Sequence, residues 1–514
     1  MHMTEQLPPP DHDVAIIGAG LSGIGAARHL QAAHPGKSFV ILEAKPRMGG
    51  TWTQFRYPGI RSDSDMHTMG YAFKPWTDAK AIADGPAILS YIEETAREGG
   101  LGPRIRYGRK VLRAEWSSEA LRWTLSIRGP EGAEALTCRF LFSAAGYYDH
   151  ERGHLPDWPG YDDYAGIKVH PQFWPEGLDV TGKRVALIGS GATAVTLTPA
   201  LAETAAHVVQ VQRSPTYVVN RPSEDAVGNA LRRVLPATWA YHLTRWKVIL
   251  QGLLRRRWVM KDVPRAKRVM VERVGAALGD AVDWRRHFTP SYWPGQQRIC
   301  AVPDGDFFES LKAGKCSIVT GEIERFTETG LRMADGAEIQ ADIIVTATGL
   351  ELLPVGGMEI VVDGQPVEMG ETLIYKGFMY ANLPNFVYFT GYTNASWTLK
   401  LDLVAAFACR LLGFMDAQGY AQVTPRATAE DIAGKDLKPK FLAGYFLRAM
   451  DRMPKMGAAA PWVHEQDYFH DRKAIGRGRP DDGTLDFSRG PDPVTLPDAQ
   501  RRGGAPDAAG VAAQ

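Results

Sequence analysis

The chain has 514 residues, of which 45% are hydrophobic and 23% are charged, and its formal net charge at pH 7 is +1. This length exceeds one ordinary hydrophobic core, so we expect a soluble globular protein of two or three domains. The nearly neutral charge gives no overall attraction to nucleic acid, and no nucleic-acid partner is expected. The sequence predicts no metal site and no redox-active disulfide, because its four cysteines are scattered: Cys138, Cys300, Cys316 and Cys409.

The first predicted element is a buried strand that leads into a glycine-rich turn, Gly18-Ala-Gly20-Leu-Ser-Gly23, and then into an alanine-rich helix. In a Rossmann fold the first glycine permits the tight turn, the second lets the backbone approach a pyrophosphate, and the third lets helix and strand pack closely. Glu43 follows about twenty residues later, where a carboxylate hydrogen-bonds ribose hydroxyls. A turn without a ligand is the alternative, but the complete pattern favours a bound dinucleotide.

The same pattern recurs at Gly189-Ser-Gly191-Ala-Thr-Ala194, and its second strand ends at Gln212 and Arg213 without an acid. A guanidinium pairs with a 2′-phosphate that a carboxylate would repel, so this turn favours NADPH over NADH. The alternative is that Arg213 is a solvated residue at the end of a strand. The residues predicted to bind NADPH are Gly189, Gly191, Thr193, Ala194, Arg213 and Ser214.

Two such turns in one chain are typical of a flavin oxidoreductase, in which FAD is the prosthetic group and NADPH the hydride donor. The predicted fold is α/β, with two Rossmann-like dinucleotide-binding domains and a helical insertion in the second. A strand that stops at Gly349 is expected to return the chain to the first sheet. The predicted segments are residues 1–150 and 341–475 for the FAD domain and C-terminal region, 151–221 and 286–340 for the NADPH domain, 222–285 for the insertion, and 476–514 for a disordered or loosely packed tail.

The predicted insertion is basic and rich in tryptophan: residues 232–268 contain eleven Lys and Arg against one acid, Asp262. A basic amphipathic helix can lie on a membrane surface, or its apolar face can cap the substrate tunnel, and the position of the insertion favours the cap. The chain begins without a signal-peptide pattern, and no apolar run approaches the roughly 18 residues that span a bilayer. We therefore expect a cytoplasmic protein, with peripheral membrane contact as the alternative.

The stretch after the first turn decides what kind of flavoenzyme is expected. Residues 49–75 contain no cysteine, which excludes a disulfide reductase. The chain instead contains Gly49-Gly50-Thr51-Trp52 and, before the second turn, Tyr164-Ala-Gly166-Ile-Lys-Val-His170-Pro-Gln-Phe-Trp174-Pro175. The second motif resembles the fingerprint of type I Baeyer–Villiger monooxygenases, Phe-x-Gly-x-x-x-His-x-x-x-Trp-Pro, with Tyr164 in place of Phe. The likeness extends over residues 11–470 and is strongest to the ethionamide-activating branch of that family.

This resemblance implies an enzyme that consumes NADPH and O₂ and converts ketones to esters or lactones through a flavin C4a-peroxide, with sulfides as further substrates. It implies that Arg298 stabilises the peroxide anion and that Asp63 positions Arg298 and influences hydride transfer. An architectural Arg–Asp pair is the alternative. Gln297 departs from the family, where a lysine contacts the 2′-phosphate. The fingerprint residues Gly166, His170, Trp174 and Pro175 are expected to couple cofactor motion rather than transfer protons.

The residues predicted to contact FAD come from both ends of the chain: Gly18, Gly20, Gly23, Glu43, Gly50, Thr51, Trp52, Asp63, Thr348, Gly349 and Asn394. Two other functions remain open on the sequence. One is a flavin monooxygenase that acts on nitrogen or sulfur without inserting oxygen into ketones, and the other is an NADPH oxidase. The oligomeric state and the identity of the substrate are left undetermined.

Overall fold

A computed structural model describes residues 8–436 and 441–502. Its strands, in chain order, are β1 His12–Ile17, β2 Phe39–Glu43, β3 Ile105–Tyr107, β4 Lys110–Ser117, β5 Arg122–Gly129, β6 Gly132–Ser143, β7 Tyr148–Gly153, β8 Ile167–Val169, β9 Arg184–Ile188, β10 His207–Gln212, β11 Val218–Arg221, β12 Cys300–Pro303, β13 Cys316–Thr320, β14 Ile323–Thr327, β15 Gly330–Met333, β16 Glu338–Gln340, β17 Ile343–Thr346, β18 Leu350–Leu352, β19 Glu359–Val362, β20 Gln365–Pro366, β21 Ile374–Tyr375, β22 Met379–Tyr380, β23 Phe386–Tyr388, β24 Gln422–Thr424 and β25 Asp486–Ser488.

The α-helices, in the same order, are α1 Leu21–Ala33, α2 Thr51–Gln54, α3 Met66–Met69, α4 Gly85–Glu98, α5 Ala192–Leu201, α6 Ala226–Val234, α7 Ala237–Lys261, α8 Val263–Leu278, α9 Trp284–His287, α10 Asp306–Lys312, α11 Trp397–Gln418, α12 Ala429–Ala433, α13 Gly444–Ala449 and α14 Tyr468–Asp471. Among the described residues, no helix is long and apolar enough to cross a membrane.

The first sheet has the strand order β20-β19-β4-β5-β6-β1-β2-β3, and β23 pairs with β6. Its centre is parallel, because β1 pairs in parallel with both β2 and β6, whereas β4, β5 and β6 form an antiparallel meander. Every residue of β2 is buried, as expected for a strand covered on both faces. Helices α1 and α11 pack in the core on one face. The carboxyl ends of β1 and β6 therefore meet at one edge of the sheet, where the first glycine-rich turn begins.

The second sheet is entirely parallel, with the order β13-β10-β9-β17-β8. The strand β17 pairs with β8 and β9, so it belongs to this sheet. Our prediction that this strand returns the chain to the first sheet, with a domain boundary at residue 341, is wrong. The return comes later, through β19 and β23. A short buried parallel strand has the same apolar sequence in either sheet, so its own residues could not specify its partner.

The tail prediction is also wrong for the part of the tail that the structure describes. The strand β25 pairs with β24, and Leu496 is fully buried in the core beneath the first sheet. Gln500 is fully buried as well, and its amide donates to the carbonyl of Ala381 at 2.7 Å and accepts from Asn382 at 2.8 Å. A few apolar and amide side chains therefore fix this polar, proline-rich segment. Residues 503–514 of the predicted tail lie outside the described residues.

Candidate active site

The first glycine-rich turn has no room for side chains. Gly18 has a φ of +99°, which L-residues rarely adopt. A Cβ on Gly23 would lie 1.8 Å from the Gly18 carbonyl oxygen. A Cβ on Gly20 would lie 3.4 Å from the Cα of Gly50, in the turn before α2. Gly20 caps α1 without a side-chain hydrogen bond, so the first N–H groups of the helix are left for a ligand.

Glu43 lies at the end of β2 beside this turn. Its carboxylate is buried and accepts hydrogen bonds from the backbone N–H groups of Ala19, at 2.7 Å, and Lys45, at 2.9 Å. Burial raises the pKa of Glu43, while these donors favour its ionised form. Each oxygen keeps a free lone pair, which is what a ribose hydroxyl requires. The turn and the carboxylate together fit an adenosine diphosphate group.

Beyond Gly50, the motif Gly49-Gly50-Thr51-Trp52 opens the short helix α2 next to the first turn. The N–H of Gly49 donates to the carbonyl of Ala19 at 3.0 Å, which ties the two glycine turns together. Gly49 and Gly50 both have positive φ, at +117° and +56°. Trp52 is half-buried against the core of the first domain. The predicted residues Gly50, Thr51 and Trp52 therefore lie next to the first glycine-rich turn.

The second turn has the same backbone geometry but more open surroundings. Gly189 has a φ of +145°, and a Cβ there would lie 2.4 Å from the carbonyl oxygen of Ala347. A Cβ on Gly191 would meet no atom within 4 Å. Ala194 is fully buried on α5, where it takes the packing role of the third glycine. The open space at the N-terminus of α5 fits a second, more accessible dinucleotide.

The side chains at the end of β10 differ in orientation. Gln212 is buried and faces inward, donating to the carbonyl of His287 at 2.8 Å and to Thr320 Oγ1 at 2.9 Å. Arg213 and Ser214 are exposed, and Arg213 has no ion-pair partner within the described part of the chain. A free guanidinium beside the second turn is what a 2′-phosphate requires. Its role in binding NADPH stays a prediction.

Arg298 lies between the two domains, surrounded by phenol rings. Its Nε donates to the hydroxyl of Tyr445 at 3.1 Å, and its Nη2 lies 3.5 Å from the hydroxyl of Tyr147. Burial alone would lower the pKa of Arg298, but the oxygens of Tyr147, Tyr148 and Tyr445 raise it above its ordinary value. The side chain is therefore a permanent cation, and the groups hydrogen-bonded to it are phenols rather than carboxylates.

Asp63 is half-buried in the same region, but it is not joined to Arg298 by a hydrogen bond or an ion pair within the described residues. Burial raises the pKa of Asp63, while the charges of Arg298, Arg61 and Arg221 oppose that effect. Arg61 is bound to Asp306 instead. Asp63 and Arg298 thus interact electrostatically across a gap, and the structure does not contain the direct pair that positioning of one by the other would require.

The fingerprint motif forms a bridge between the domains. Tyr164 is buried and donates to the carbonyl of Ala341 at 3.0 Å, and a Cβ on Gly166 would lie 2.2 Å from that hydroxyl. His170 accepts from the N–H of Gln172 through Nδ1, which leaves Nε2 to donate to the carbonyl of Gly349 at 3.3 Å. Burial lowers the pKa of His170, so the ring is a neutral linker at the junction.

The other fingerprint residues support the same bridge. The backbone carbonyl of Gln172 accepts from Gln54, on α2 of the first domain, at 3.0 Å. Trp174 packs against the core of the second domain, and Pro175 is exposed. The motif therefore connects α2, next to the first turn, with the core of the second domain. Coupling of cofactor motions would need such a connection.

Three predicted FAD contacts form hydrogen bonds within the protein. Thr348 donates to the carbonyl of His154, and Gly349 accepts from the N–H of His154 at 3.1 Å, so both residues lie in the connection between the sheets. Asn394 donates to the carbonyl of Gln466 at 3.2 Å near the surface. Direct contact of these residues with the flavin stays a prediction.

Sequence reasoning missed the tyrosines that surround Arg298. Tyr147 lies just beyond β6, at the carboxyl end of a parallel strand. Ligands bind at such strand ends, so this position could have identified Tyr147 as a site residue. Trp397, at the start of α11, donates to Ser22 Oγ on α1 at 2.7 Å, and its ring centre lies 5.4 Å from that of Tyr147. Tyr445, on α13, gave no signal, because nearly 300 residues separate it from Tyr147.

Comparison with known proteins agrees with this geometry. A family model described as an NAD(P)-binding Rossmann-like domain matches residues 16–84, which contain the first turn. The chain is 47% identical over 493 residues to the FAD-containing monooxygenase EthA of Mycobacterium tuberculosis, covering 96% of this chain and 100% of that protein. The chain belongs to the FAD-containing monooxygenase family.

Solved structures share the same architecture at lower identity. An oxidised steroid monooxygenase bound to NADP has a TM-score of 0.74 at 24% identity, covering 93% of this chain and 100% of its own. A cyclohexanone monooxygenase bound to ε-caprolactone has a TM-score of 0.70 at 19% identity, covering 93% and 99%. These likenesses establish the fold, with two dinucleotide-binding domains.

Proposed function

We propose that this FAD-containing monooxygenase is of the Baeyer–Villiger type: it uses NADPH and O₂ to convert ketones to esters or lactones, and it also oxidises sulfides. The observation that carries the proposal is Arg298, a cation at the junction of the two domains whose neighbours are neutral phenols. The fold shared with a cyclohexanone monooxygenase that binds a lactone is consistent with it. We assign FAD to the first turn and NADPH to the second.

The residues of the first turn fit FAD. The N-terminus of α1 is uncapped, the gap between Gly20 and Gly50 is closed to any larger side chain, and the buried carboxylate of Glu43 is fixed by two backbone donors. At the second turn, Gly191 opens on free space, and the exposed Arg213 supplies a cation for a 2′-phosphate. When bound and reduced by NADPH, the flavin supplies the activated oxygen for the reaction.

Arg298 provides the electrostatic part of the mechanism. A negative charge that develops on oxygen during the reaction needs a donor whose position and protonation are fixed beforehand. The hydroxyls of Tyr445 and Tyr147 orient the guanidinium, and their proximity raises its pKa, so it never loses its proton. Half-burial between the domains limits the access of water, which strengthens the interaction of this charge with an anion.

Asp63 has a separate role in this proposal. Its carboxylate faces three arginines without bonding directly to Arg298, so it offsets part of their charge before the substrate oxygen becomes negative. His170 holds the linker at Gly349 in its neutral form and transfers no proton, because both ring nitrogens are committed to backbone groups. The bridge allows the second domain to move its cofactor relative to the first.

The test is product analysis of Arg298→Ala. We expect flavin reduction by NADPH to survive within about tenfold, while ester formation from a ketone panel falls by about 100-fold to 1,000-fold, the usual cost of removing an oxyanion-stabilising group. Arg325→Ala is the matched control, because Arg325 pairs with Asp163 at the surface.

Three results would contradict the proposal. Undiminished ester formation by Arg298→Ala would remove Arg298 from its assigned role. A wild-type enzyme that oxidises sulfides but no ketone would be a nitrogen- or sulfur-directed monooxygenase. Consumption of NADPH that yields only hydrogen peroxide across both substrate panels would indicate an oxidase.

A further inference from the structure

The helix α7, at the centre of the insertion, has an apolar outer face. Trp239, Leu243, Leu250 and Leu254 recur at helical spacing and are 68%, 48%, 47% and 62% exposed. At 100° per residue these four positions lie within one narrow sector of the helix. Single exposed leucines are ordinary on protein surfaces, but a continuous row of large apolar side chains marks an interaction surface. We call these four residues the α7 stripe.

The opposite face of α7 is firmly attached to the first domain. Tyr241 donates to the carbonyl of Tyr71 at 2.9 Å, and Arg245 donates to the carbonyls of His67 and Gly70 at 2.8 Å each. Arg245 also pairs with the half-buried Asp402 at 3.1 Å. The inner face of α7 is thus packed on the first domain, and a cap over the substrate tunnel stays a prediction. Because this face is already occupied, the α7 stripe cannot turn inward without breaking those bonds.

The insertion that carries the α7 stripe also carries free positive charge. Several cations of the insertion already have partners: Arg245 pairs with Asp402, Lys247 with Asp225, and Arg256 with Asp467. Others are exposed, and none of them has an ion-pair partner within residues 8–436 and 441–502: Arg233, Arg257, Lys261, Arg265 and Arg268. The acid Asp262 is used to cap α8. The insertion therefore carries an excess of uncompensated positive charge, and Arg257 and Lys261 lie on α7 itself, although the whole chain is nearly neutral.

We propose that the α7 stripe and the free cations of the insertion dock the enzyme on an anionic lipid surface. Leu243, Leu250 and Leu254 would enter the boundary between headgroups and acyl chains, with Trp239 at the interface that tryptophan favours. The cations would contact lipid phosphates, and long Arg and Lys side chains reach the headgroups while their stems stay in apolar surroundings. The sequence favoured a cap over membrane contact, but the two are compatible, because one face of α7 packs on the first domain and the other is exposed.

A second copy of the chain is a less suitable occupant of this surface. A symmetric contact would bring the same free cations of two chains together without acids to offset them, which is unfavourable. An anionic lipid surface satisfies both the apolar row and the charge. The proposal does not depend on the ketone or sulfide activity, so its failure and that of the proposed function can be told apart.

The experiment measures sedimentation of the FAD-loaded full-length protein with sucrose-filled vesicles of phosphatidylcholine alone, or of phosphatidylcholine with phosphatidylglycerol. We expect binding to the anionic vesicles, with partitioning reduced about tenfold or more on neutral vesicles or in high salt. Leu243→Ser/Leu250→Ser/Leu254→Ser should abolish binding. Arg257→Glu/Lys261→Glu should weaken binding to anionic vesicles only.

The matched control is Leu112→Ser/Leu155→Ser/Leu447→Ser, which changes three leucines that are 37%, 44% and 42% exposed elsewhere on the molecule. It should bind as the wild type does. Flavin absorbance and circular dichroism verify that each variant is folded. Absence of vesicle binding by the wild type would overturn the proposal, and so would equal binding by the stripe variant. Dissociation of an oligomer by the stripe variant without any vesicle binding would assign the surface to a second copy instead.

Discussion

The two glycine-rich turns share the same local sequence pattern, but the residues around them differ. In the first, Gly20 faces Gly50 across a gap that a single Cβ would nearly fill, and Glu43 is buried and fixed by backbone donors. In the second, Gly191 faces open space and Arg213 is exposed. An enclosed site suits a cofactor that stays bound, and an open one suits a cofactor that must leave after each turnover. We therefore propose that the first turn retains its cofactor and that the second exchanges its cofactor.

Gly23→Ala tests how tightly the first turn is closed. A Cβ at this position overlaps the Gly18 carbonyl, and overpacking costs about 1–3 kcal/mol, so we expect FAD in the purified protein to fall to about a tenth of the wild-type content. The ratio of flavin to protein absorbance measures this. Ala194→Gly, at the equivalent position of the second turn, is the control and should keep its flavin. Full flavin content in Gly23→Ala would show that the first turn is no more tightly closed than the second.

Arg213→Glu tests the open site. Replacing Arg213, just after the end of β10, by an acid should raise KM for NADPH by about 10-fold to 100-fold, since a charge-assisted hydrogen bond is worth about 1.5–3 kcal/mol. KM for NADH should change little, because NADH has no 2′-phosphate. Steady-state kinetics with both coenzymes measures the effect. An equal rise in KM for NADPH and NADH would mean that Arg213 does not bind the 2′-phosphate.

Glu43→Gln tests the first turn, and it should change how FAD retention depends on pH. Burial raises the pKa of Glu43, so in the wild type its proton returns at a higher pH than for an ordinary carboxyl group. Flavin retention that depends on the carboxylate is thus complete at high pH and is lost as pH falls through that raised pKa. The variant should bind FAD about tenfold more weakly, without this pH dependence. Ultrafiltration of the holoenzyme across a pH series measures it, and a parallel decline in both proteins would exclude Glu43 as the source.

The smallest effect is expected from Gly191→Ala. Its φ is −78° and the Cβ would meet no protein atom, so the fold should be unaffected. The methyl group would occupy only ligand space, and we expect KM for NADPH to rise by about twofold to fivefold with unchanged Tm. Gly20→Ala is the counterpart in the closed turn and should reduce flavin content. A loss of Tm in Gly191→Ala would show that the second turn is as tightly packed as the first.

Much of the site could be predicted because its signals are local. Gly18, Gly20, Gly23 and Glu43 lie within one strand–turn–helix–strand unit, so their spacing in sequence is their spacing in space. Arg298 was predicted from the family resemblance, but its neighbours Tyr147 and Tyr445 come from distant parts of the chain. The expected positioning of Arg298 by Asp63 has no direct bond to support it. Local motifs identify the functional side chains, and packing between distant segments sets the distances between those side chains.

The sequence by itself determined the two dinucleotide-binding folds and the motif between them, because backbone sterics and hydrogen bonding dictate glycine at specific positions of a tight turn. Only the tertiary structure decided which sheet β17 joins, that the segment up to residue 502 packs onto the core, and that α7 packs on the first domain with one face and exposes the other. The physical reason is that apolar residues specify burial but not the partner that buries them. That choice depends on contacts between segments far apart in the chain.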